Sequence, residues 1–554
     1  MELIEKKSIA QLFDETCKSR GIQEALIFPH ENLQQTFTSL RIEVDKLAAG
    51  LLASGLNAGD HVMLWGANHS STIHSIFACA KAGLVFSCLN PAASTDIIAK
   101  ILQNGDFRAL ICFPASKPGA PYHTMIELCP ELKSAAKGHL ESKAFPKLTH
   151  VIMAEEEHKY SGTYTLSEIF GLGKQENVVK LNQLPYQDCN SLASIQYTMG
   201  STGDPSGVML SHFQLLNACL TVGKRIYLDQ PTEILCCPMP VFRGPVMCLA
   251  VLATAVFGIK VVYPAPNPVP PLIFQAVQDY KCTILVSNPI AFHLMLRLPK
   301  LKTFNIDSLT SVLLVGEHLP TDLVSAIQSN TNIKDVATGI FLTEAGCMAV
   351  LSPSEAAAEK LLSTQGKAAP NYEVKLLDFD GKEVEAEKMG EIMVKPVANS
   401  EFLGYYKNAQ LAKQVMMSDG WLHTGDVGTI DSDGYIRIMG QKQDIIFNET
   451  ELICPWQLEK QLANLPNVLA VQVVGVSESK QSGQICACVV VRDKNGQIDE
   501  QELREQILET CRSQQLRVPD YVVFVKDFPR TATRKVQKNK LKESAAELIK
   551  QQYV

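Results

Sequence analysis

Tyr197-Thr198-Met199-Gly200-Ser201-Thr202-Gly203-Asp204-Pro205-Ser206-Gly207 gathers three glycines and three hydroxyls into its last eight residues. Strand-like Ser194–Thr198 leads into it and strand-like Val208–Leu210 leads out. A helix then opens at Ser211-His212-Phe213-Gln214, a Ser-x-x-Gln spacing that forms a capping box. Glycines let backbone N–H groups turn inward around an anion, and hydroxyls add donors without bulk. Gly-Lys-Ser/Thr is absent, so this is not a Walker loop. Alone, such a loop is more often the tip of a surface hairpin.

Three further segments change its standing. Thr343-Glu344 follows the strand-like Asp335–Leu342; alone it reads as a helix cap. Trp421-Leu422-His423-Thr424-Gly425-Asp426 precedes an Asp433-Gly434 hairpin signal. Asp431-Ser432-Asp433-Gly434 is not an EF-hand, because its glycine comes too early and position twelve of the loop is Lys442. Pro529-Arg530-Thr531-Ala532-Thr533-Arg534-Lys535 lies near the end and, alone, is a solvated tail.

Around these segments, short apolar strands alternate with amphipathic helices, the pattern of an α/β protein. Ala25–Phe28, His61–Trp65, Ala109–Cys112, Thr283–Val286 and Ser311–Val315 read as strands. Leu40–Leu52 reads as a helix with Leu40, Val44, Leu47, Leu51 and Leu52 on one stripe. From about Tyr372 short strands and tight turns at Asp380-Gly381 and Asp433-Gly434 indicate a small β-rich subdomain. Trp456–Leu462 then reads as a helix, Leu469–Val476 and Ile485–Val491 as strands, and Asp499–Ser513 as a helix with Asp499 as its N-cap. The expected architecture is a large N-terminal domain of layered α/β subdomains plus the β-rich subdomain, followed by a small, mobile C-terminal α/β domain. The boundaries are expected at 1–439, a hinge linker at 440–444, and 445–554.

At 554 residues the chain exceeds one hydrophobic core. A net charge of −7 argues against a general nucleic-acid binder, and Lys535, Lys538, Lys540 and Lys542 read as a solvated helix face. Sixteen cysteines without zinc spacing read as buried small hydrophobes in a reducing compartment. The apolar run Met247–Ile259, about thirteen residues, is too short to span a bilayer. With no signal, transit or peroxisomal address recognised, the expected location is cytoplasmic. Oligomeric state is not legible.

In this order and spacing, the four segments resemble the core motifs of the adenylate-forming superfamily: acyl-CoA synthetases, peptide-synthetase adenylation domains and beetle luciferases. The resemblance extends over essentially the whole chain, through Leu47-Ala48-Ala49-Gly50-Leu51, Gly59-Asp60, Lys81-Ala82-Gly83, Leu89-Asn90-Pro91 and Gly404-Tyr405-Tyr406. Val471–Val476 and Ile485–Cys488 look most like the animal medium-chain acyl-CoA ligases.

The resemblance implies ATP-dependent activation of a carboxylic acid to an acyl-adenylate, then transfer to coenzyme A. It implies that Gly200, Ser201, Thr202 and Gly203, flanked by Thr198 and Gly207, cradle the ATP phosphates. Glu344 would hold Mg²⁺, Thr343 would bond the α-phosphate, and Asp426 would accept the ribose hydroxyls. Lys535 would bridge carboxylate and α-phosphate. Phe341 would stack on adenine, Gln441 would sit at the linker beside the nucleotide, and Gln443 would be the hinge. Arg243 and Gly316 would line the pocket for a small-molecule carboxylate. Two other outcomes share the fold: a luciferase-type enzyme that passes its activated substrate to oxygen, and a pseudoenzyme that binds acyl or nucleotide ligands.

Departures from the family pattern cluster on ATP and CoA handling. Ser206 stands where lysine is usual, Ile340-Phe341 where an aromatic-glycine pair is usual, and Gln441 where arginine is usual. Glu449-Thr450 replaces a glycine pair of the pantetheine tunnel, and Arg534 a glycine before Lys535. Arg243 stands where histidine is usual beside the acyl pocket; it is either a rim arginine or the partner of a second anionic group on the substrate.

Overall fold

A computed structural model describes the chain apart from residues 1, 2, 5, 200–203, 317, 318, 321, 397–400, 449, 450, 477–482, 493–498, 531–535 and 554. By its internal contacts the chain divides into two compact units. One comprises Met1–Val374, Val394–Leu422 and Gly434–Ile436; the other comprises Lys375–Met393, His423–Asp433 and Arg437–Val554.

Two large sheets dominate the first unit. One has seven strands in the order Tyr164–Thr165, His150–Met153, Phe107–Cys112, His61–Trp65, Val85–Leu89, Leu192–Met199 and Pro205–Ser211. Its strands are parallel except for the final antiparallel pair, which flanks the glycine-rich loop. The other has nine strands, with Ile234–Cys236, Ile284–Ser287, Ser311–Leu314 and Asp335–Ile340 running parallel through its middle. Parallel strands covered on both faces carry near-continuous apolar side chains. Ser311–Leu314 accordingly is buried at every position.

Local signals hold. Helix Phe37–Ala53 buries Leu40, Val44, Leu47 and Leu51, while Leu52 sits at the rim, half-buried. Ser211 and Gln214 form both halves of the expected capping box at the start of helix His212–Arg225. The apolar run from Met247 is buried helix rather than a span: Met247–Val251 makes a π-helical turn that continues as Leu252–Val256. No helix of the described residues is long and apolar enough to cross a membrane. All sixteen cysteines are buried and unpaired.

A four-stranded sheet follows, in the order Tyr372–Leu377, Gly390–Pro396, Leu422–Ile430 and Ile436–Gln441. In the second unit a three-stranded sheet, Val468–Val476, Gln484–Val491 and Tyr521–Phe524, is covered by helices Pro455–Leu462, Glu500–Ser513 and Lys538–Tyr553. Asp499 caps the middle helix, accepting from the N–H groups of Gln501 and Glu502. The basic run is not wholly a solvated face. Lys538 is half-buried and pairs with Glu459 at 2.7 Å, because the helix start packs against the sheet.

Candidate active site

Antiparallel pairing of Leu192–Met199 with Pro205–Ser211 sets Tyr197 opposite Gly207, Thr198 opposite Ser206 and Met199 opposite Pro205. Gly200, Ser201, Thr202 and Gly203, at the tip, lie outside the described residues. Gly207 is required by a close approach: a Cβ there would stand 2.8 Å from Ile195 Cγ2 and 3.2 Å from the Tyr197 ring. Gly404-Tyr405-Tyr406 lies along the outer edge, where Met209 N–H donates to Gly404 O at 3.1 Å and Tyr406 N–H to Gly207 O at 2.8 Å.

That segment, bridged to the hairpin at Val208, brings Tyr405 to Glu344. The Tyr405 hydroxyl donates to Glu344 Oε1 at 2.9 Å, and the Thr198 hydroxyl reaches the same oxygen at 3.4 Å. Oε2 of Glu344 has no hydrogen-bond partner among the described residues. Burial first, and the adjoining carboxylate second, push the Tyr405 phenol well above its ordinary range, so it remains a donor.

Thr343, Glu344 and Ala345 form one short 3₁₀ turn after strand Asp335–Ile340. The strand stops two residues earlier than its apolar pattern suggests, because Leu342 O accepts from Ala345 N–H at 3.1 Å and Cys347 N–H at 2.9 Å. Gly346 and Cys347 both take positive φ, 78° and 77°, which turns the chain sharply away and leaves Glu344 at the apex. Phe341 and Thr343 are half-buried beside buried Ile340.

Gly244 packs against this turn: a Cβ there would lie 3.7 Å from Thr343 Cγ2 and 3.5 Å from Cys347 Sγ. Arg243, which precedes it and N-caps Gly244–Val246, is exposed. Its guanidinium has no ion-pair partner among the described residues. Gly316 closes on Pro289, whose Cδ is 2.7 Å from where a Cβ would stand.

The remaining predicted residues belong to the second unit. Asp426 N–H donates to Thr424 Oγ1 at 3.0 Å, and Thr424 in turn donates to Ile392 O at 2.7 Å. Gln443 is exposed and its side chain donates to Gln441 Oε1 at 3.0 Å. Lys535 and Glu449-Thr450 lie outside the described residues.

Three residues of this neighbourhood or of the second unit escaped sequence reasoning. Tyr405 had a visible motif but no visible role. Lys100, on helix Thr95–Asn104, reaches Asp204 beside the loop at 2.5 Å. Glu391, buried in the second unit, accepts from Lys442 at 2.7 Å, His423 at 3.1 Å and Gly425 N–H at 3.3 Å. It ties the turn before Asp426 to the segment between Gln441 and Gln443. The signal available for it was Gly390-Glu391-Ile392, a charge inside an apolar strand.

Chemically, the first unit offers a carboxylate whose one oxygen accepts from two hydroxyls and whose other oxygen has no partner among the described residues, beside the glycine-rich hairpin. Carboxylate oxygen is the ligand a hard divalent cation prefers.

Comparison with known proteins places the chain in context. Residues 13–406 match the family described as AMP-binding enzyme, and residues 457–535 match the AMP-binding enzyme C-terminal domain. The chain is 29% identical to the medium-chain acyl-CoA ligase ACSF2, mitochondrial, of Bos taurus, over 98% of this chain and 88% of that one. The crystal structure of the anthranilate CoA ligase AuaEII with anthranoyl-AMP superposes with a TM-score of 0.81 at 21% identity, covering 100% of both chains. ATP-bound MatB from Rhodopseudomonas palustris follows with a TM-score of 0.79 at 23% identity, over 97% of this chain and 99% of that one.

Proposed function

Because the chain belongs to the AMP-binding enzyme family of adenylate-forming acyl-CoA ligases, we propose that it activates a hydrophobic, medium-chain carboxylic acid with ATP and passes the acyl group to coenzyme A. The observation that carries this reading is the convergence of Thr198 and Tyr405 on one oxygen of Glu344 beside the glycine-rich hairpin. The medium-chain preference draws on the relatives' names and on the buried, largely apolar helical run Gly244–Val256, whose Gly244 packs on the Thr343 turn.

A carboxylate is a poor electrophile. Attack of its oxygen on the α-phosphate of ATP expels pyrophosphate and leaves an acyl-adenylate, whose AMP is a good leaving group for a thiol. Thr198 and the loop residues Gly200–Gly203 are proposed to hold the phosphates, with Gly207 allowing the hairpin to close. Thr343 is proposed to donate to the α-phosphate. The free oxygen of Glu344 fits Mg²⁺, which would supply charge neutralisation at the phosphates. Asp426 is proposed to accept the ribose hydroxyls, Gln441 to line the linker beside the nucleotide, and Phe341 to stack on adenine. Lys535 is proposed to offset charge on carboxylate and α-phosphate as it builds. Gln443, within a linker at 440–444 between parts 1–439 and 445–554, is proposed as the pivot that exchanges the adenylation and thiol-transfer states.

Ser206 stands where the family resemblance leads one to expect a lysine, and Lys100, paired with Asp204 on the same hairpin, is proposed to supply a cation there. The free thiols support a reducing compartment, of which the cytosol is our reading.

The test is carboxylate-dependent ATP–pyrophosphate exchange over a panel of acids, followed by thioester detection with coenzyme A. Exchange with medium-chain acids and formation of their thioesters is the expected result. Exchange without thioester would replace coenzyme A as acceptor. No exchange with any acid would overturn the enzymatic reading.

A further inference from the structure

Away from the Glu344 site, two histidines and a glutamate converge at the tip of a hairpin. His30 and Glu31 lie on the 3₁₀ turn Pro29–Glu31, between strands Glu24–Phe28 and Leu33–Thr36. His69 is the N-cap residue of helix Ser70–Ala82. His30 Nε2 stands 3.1 Å from Glu31 Oε1, and His69 Nδ1 stands 3.4 Å from the same oxygen. One donor atom from each of the three lies within 4.8 Å of the others.

These spacings have a specific meaning. A tetrahedral ion with metal–ligand bonds of about 2.0–2.1 Å holds its donor atoms about 3.3 Å apart. Both nitrogen–oxygen separations bracket that edge. Hydrogen bonding alone accounts for the group less well. Ser70 N–H already donates to Glu31 Oε1 at 3.0 Å, and the Ser70 hydroxyl donates to Oε2. Three nitrogens therefore crowd an oxygen that has two lone pairs.

The three side chains remain 15–25% exposed, enough for an ion to enter and for water to complete its shell.

We propose that His30, Glu31 and His69 bind one divalent transition-metal ion of the zinc class, through His30 Nε2, His69 Nδ1 and the Glu31 carboxylate. Two imidazoles and one carboxylate suit zinc, cobalt or nickel rather than magnesium, so this site is separate from the one proposed at Glu344. Ser70 serves as the outer support, holding both carboxylate oxygens as ligand-orienting groups do.

The ion would brace more than the hairpin. Asn68, adjacent to His69 and fully buried, donates to Met239 O at 2.8 Å and accepts from Val241 N–H at 2.9 Å. Met239–Val241 leads directly into Arg243 and Gly244, which packs on the Thr343 turn. Fixing His69 therefore fixes the segment that presents Arg243.

The experiment uses the full chain, stripped with a chelator and then dialysed against zinc at micromolar free concentration. Cobalt serves as the spectroscopic probe, and circular dichroism monitors the fold. The expected result is one equivalent bound, with the visible absorption of four-coordinate cobalt. In His30→Ala and His69→Ala affinity should fall at least about ten-fold, and Ser70→Ala should weaken it about ten-fold. His158→Ala, outside the cluster, should keep it. Zinc should raise the thermal midpoint of the wild type and not that of His30→Ala. Should His69→Ala fail to fold, His30→Gln provides the same reading from the turn. Equal zinc stoichiometry and affinity in wild type and both histidine variants would overturn the proposal, as would no binding at micromolar zinc. Either result would leave Glu31 as a helix cap alone.

Discussion

The Tyr405 hydroxyl donates to Oε1 of Glu344 at 2.9 Å, joining residues that stand 61 apart in the chain. The bond exists because Gly404-Tyr405-Tyr406 is bridged to the hairpin edge at Val208 while Thr343-Glu344-Ala345 projects from the end of a neighbouring sheet. It holds one carboxylate oxygen and leaves the other available.

Tyr405→Phe removes that donor with little change in volume. A hydrogen bond to a charged group contributes about 1.5–3 kcal/mol, so ATP–pyrophosphate exchange should fall about ten-fold or more. Magnesium titration should show a weakened apparent affinity. Unchanged exchange would mean that Thr198 and the backbone orient Glu344 without help.

Lys535→Ala should nearly abolish adenylation while leaving ATP binding largely intact, because its proposed task is confined to charge that develops as the bond to phosphorus forms. Nucleotide binding by calorimetry and exchange by isotope incorporation separate these two effects. Exchange at the wild-type rate would remove Lys535 from the catalytic set.

Lys100→Met tests whether this exposed lysine supplies the hairpin's cation in the absence of one at position 206. Asp204 is its partner in the structure and raises its pKa. For a surface charge the expected effect is a rise in KM for ATP of about two- to five-fold, shrinking at high salt. A KM that does not move would confine the lysine to its pairing with Asp204.

Arg243→Ala distinguishes a rim arginine from a substrate-reading one. If the guanidinium reads a second anionic group, di-anionic acids should lose at least about ten-fold in kcat/KM, and mono-anionic acids much less. Equal preference in both proteins would make Arg243 a bystander.

His212 links pH to stability. Its Nδ1 accepts from Ile9 N–H at 3.3 Å, and burial pushes its pKa down to about 4 against the small opposing pull of Asp188. The unfolded chain takes up a proton near pH 6.5, whereas the folded chain does not until about pH 4. Stability is therefore complete above pH 6.5 and falls as pH drops through that window, by at most about 3 kcal/mol from this residue. In urea denaturation at pH 7 and pH 5, His212→Gln should show a smaller difference between the two pH values than the wild type does. An identical pH dependence would assign the loss to other groups.

Much of the protein was determined by sequence alone, because its elements rest on local chemistry. Short apolar runs marked His61–Trp65 and Ser311–Val315 as strands, the second ending at Leu314 in the structure, and Ser211-x-x-Gln214 named its own helix start. Glu344, Asp426 and Lys535 were singled out beside the glycine-rich hairpin only by the resemblance of four ordered segments to a family, and their roles remain proposals. Tertiary structure alone decided which groups meet. Tyr405 joins Glu344, Lys100 reaches Asp204, Glu391 gathers His423 and Lys442, and His69 comes to His30 and Glu31. These pairings cross from one sheet edge, turn or helix end to another. No propensity or spacing encodes them, since they follow from strand order and register rather than from neighbours in the chain. The hairpin at Tyr197–Gly207 accordingly showed its glycines and hydroxyls in its residues, whereas the carboxylate that Thr198 reaches took its place only when the two sheets folded.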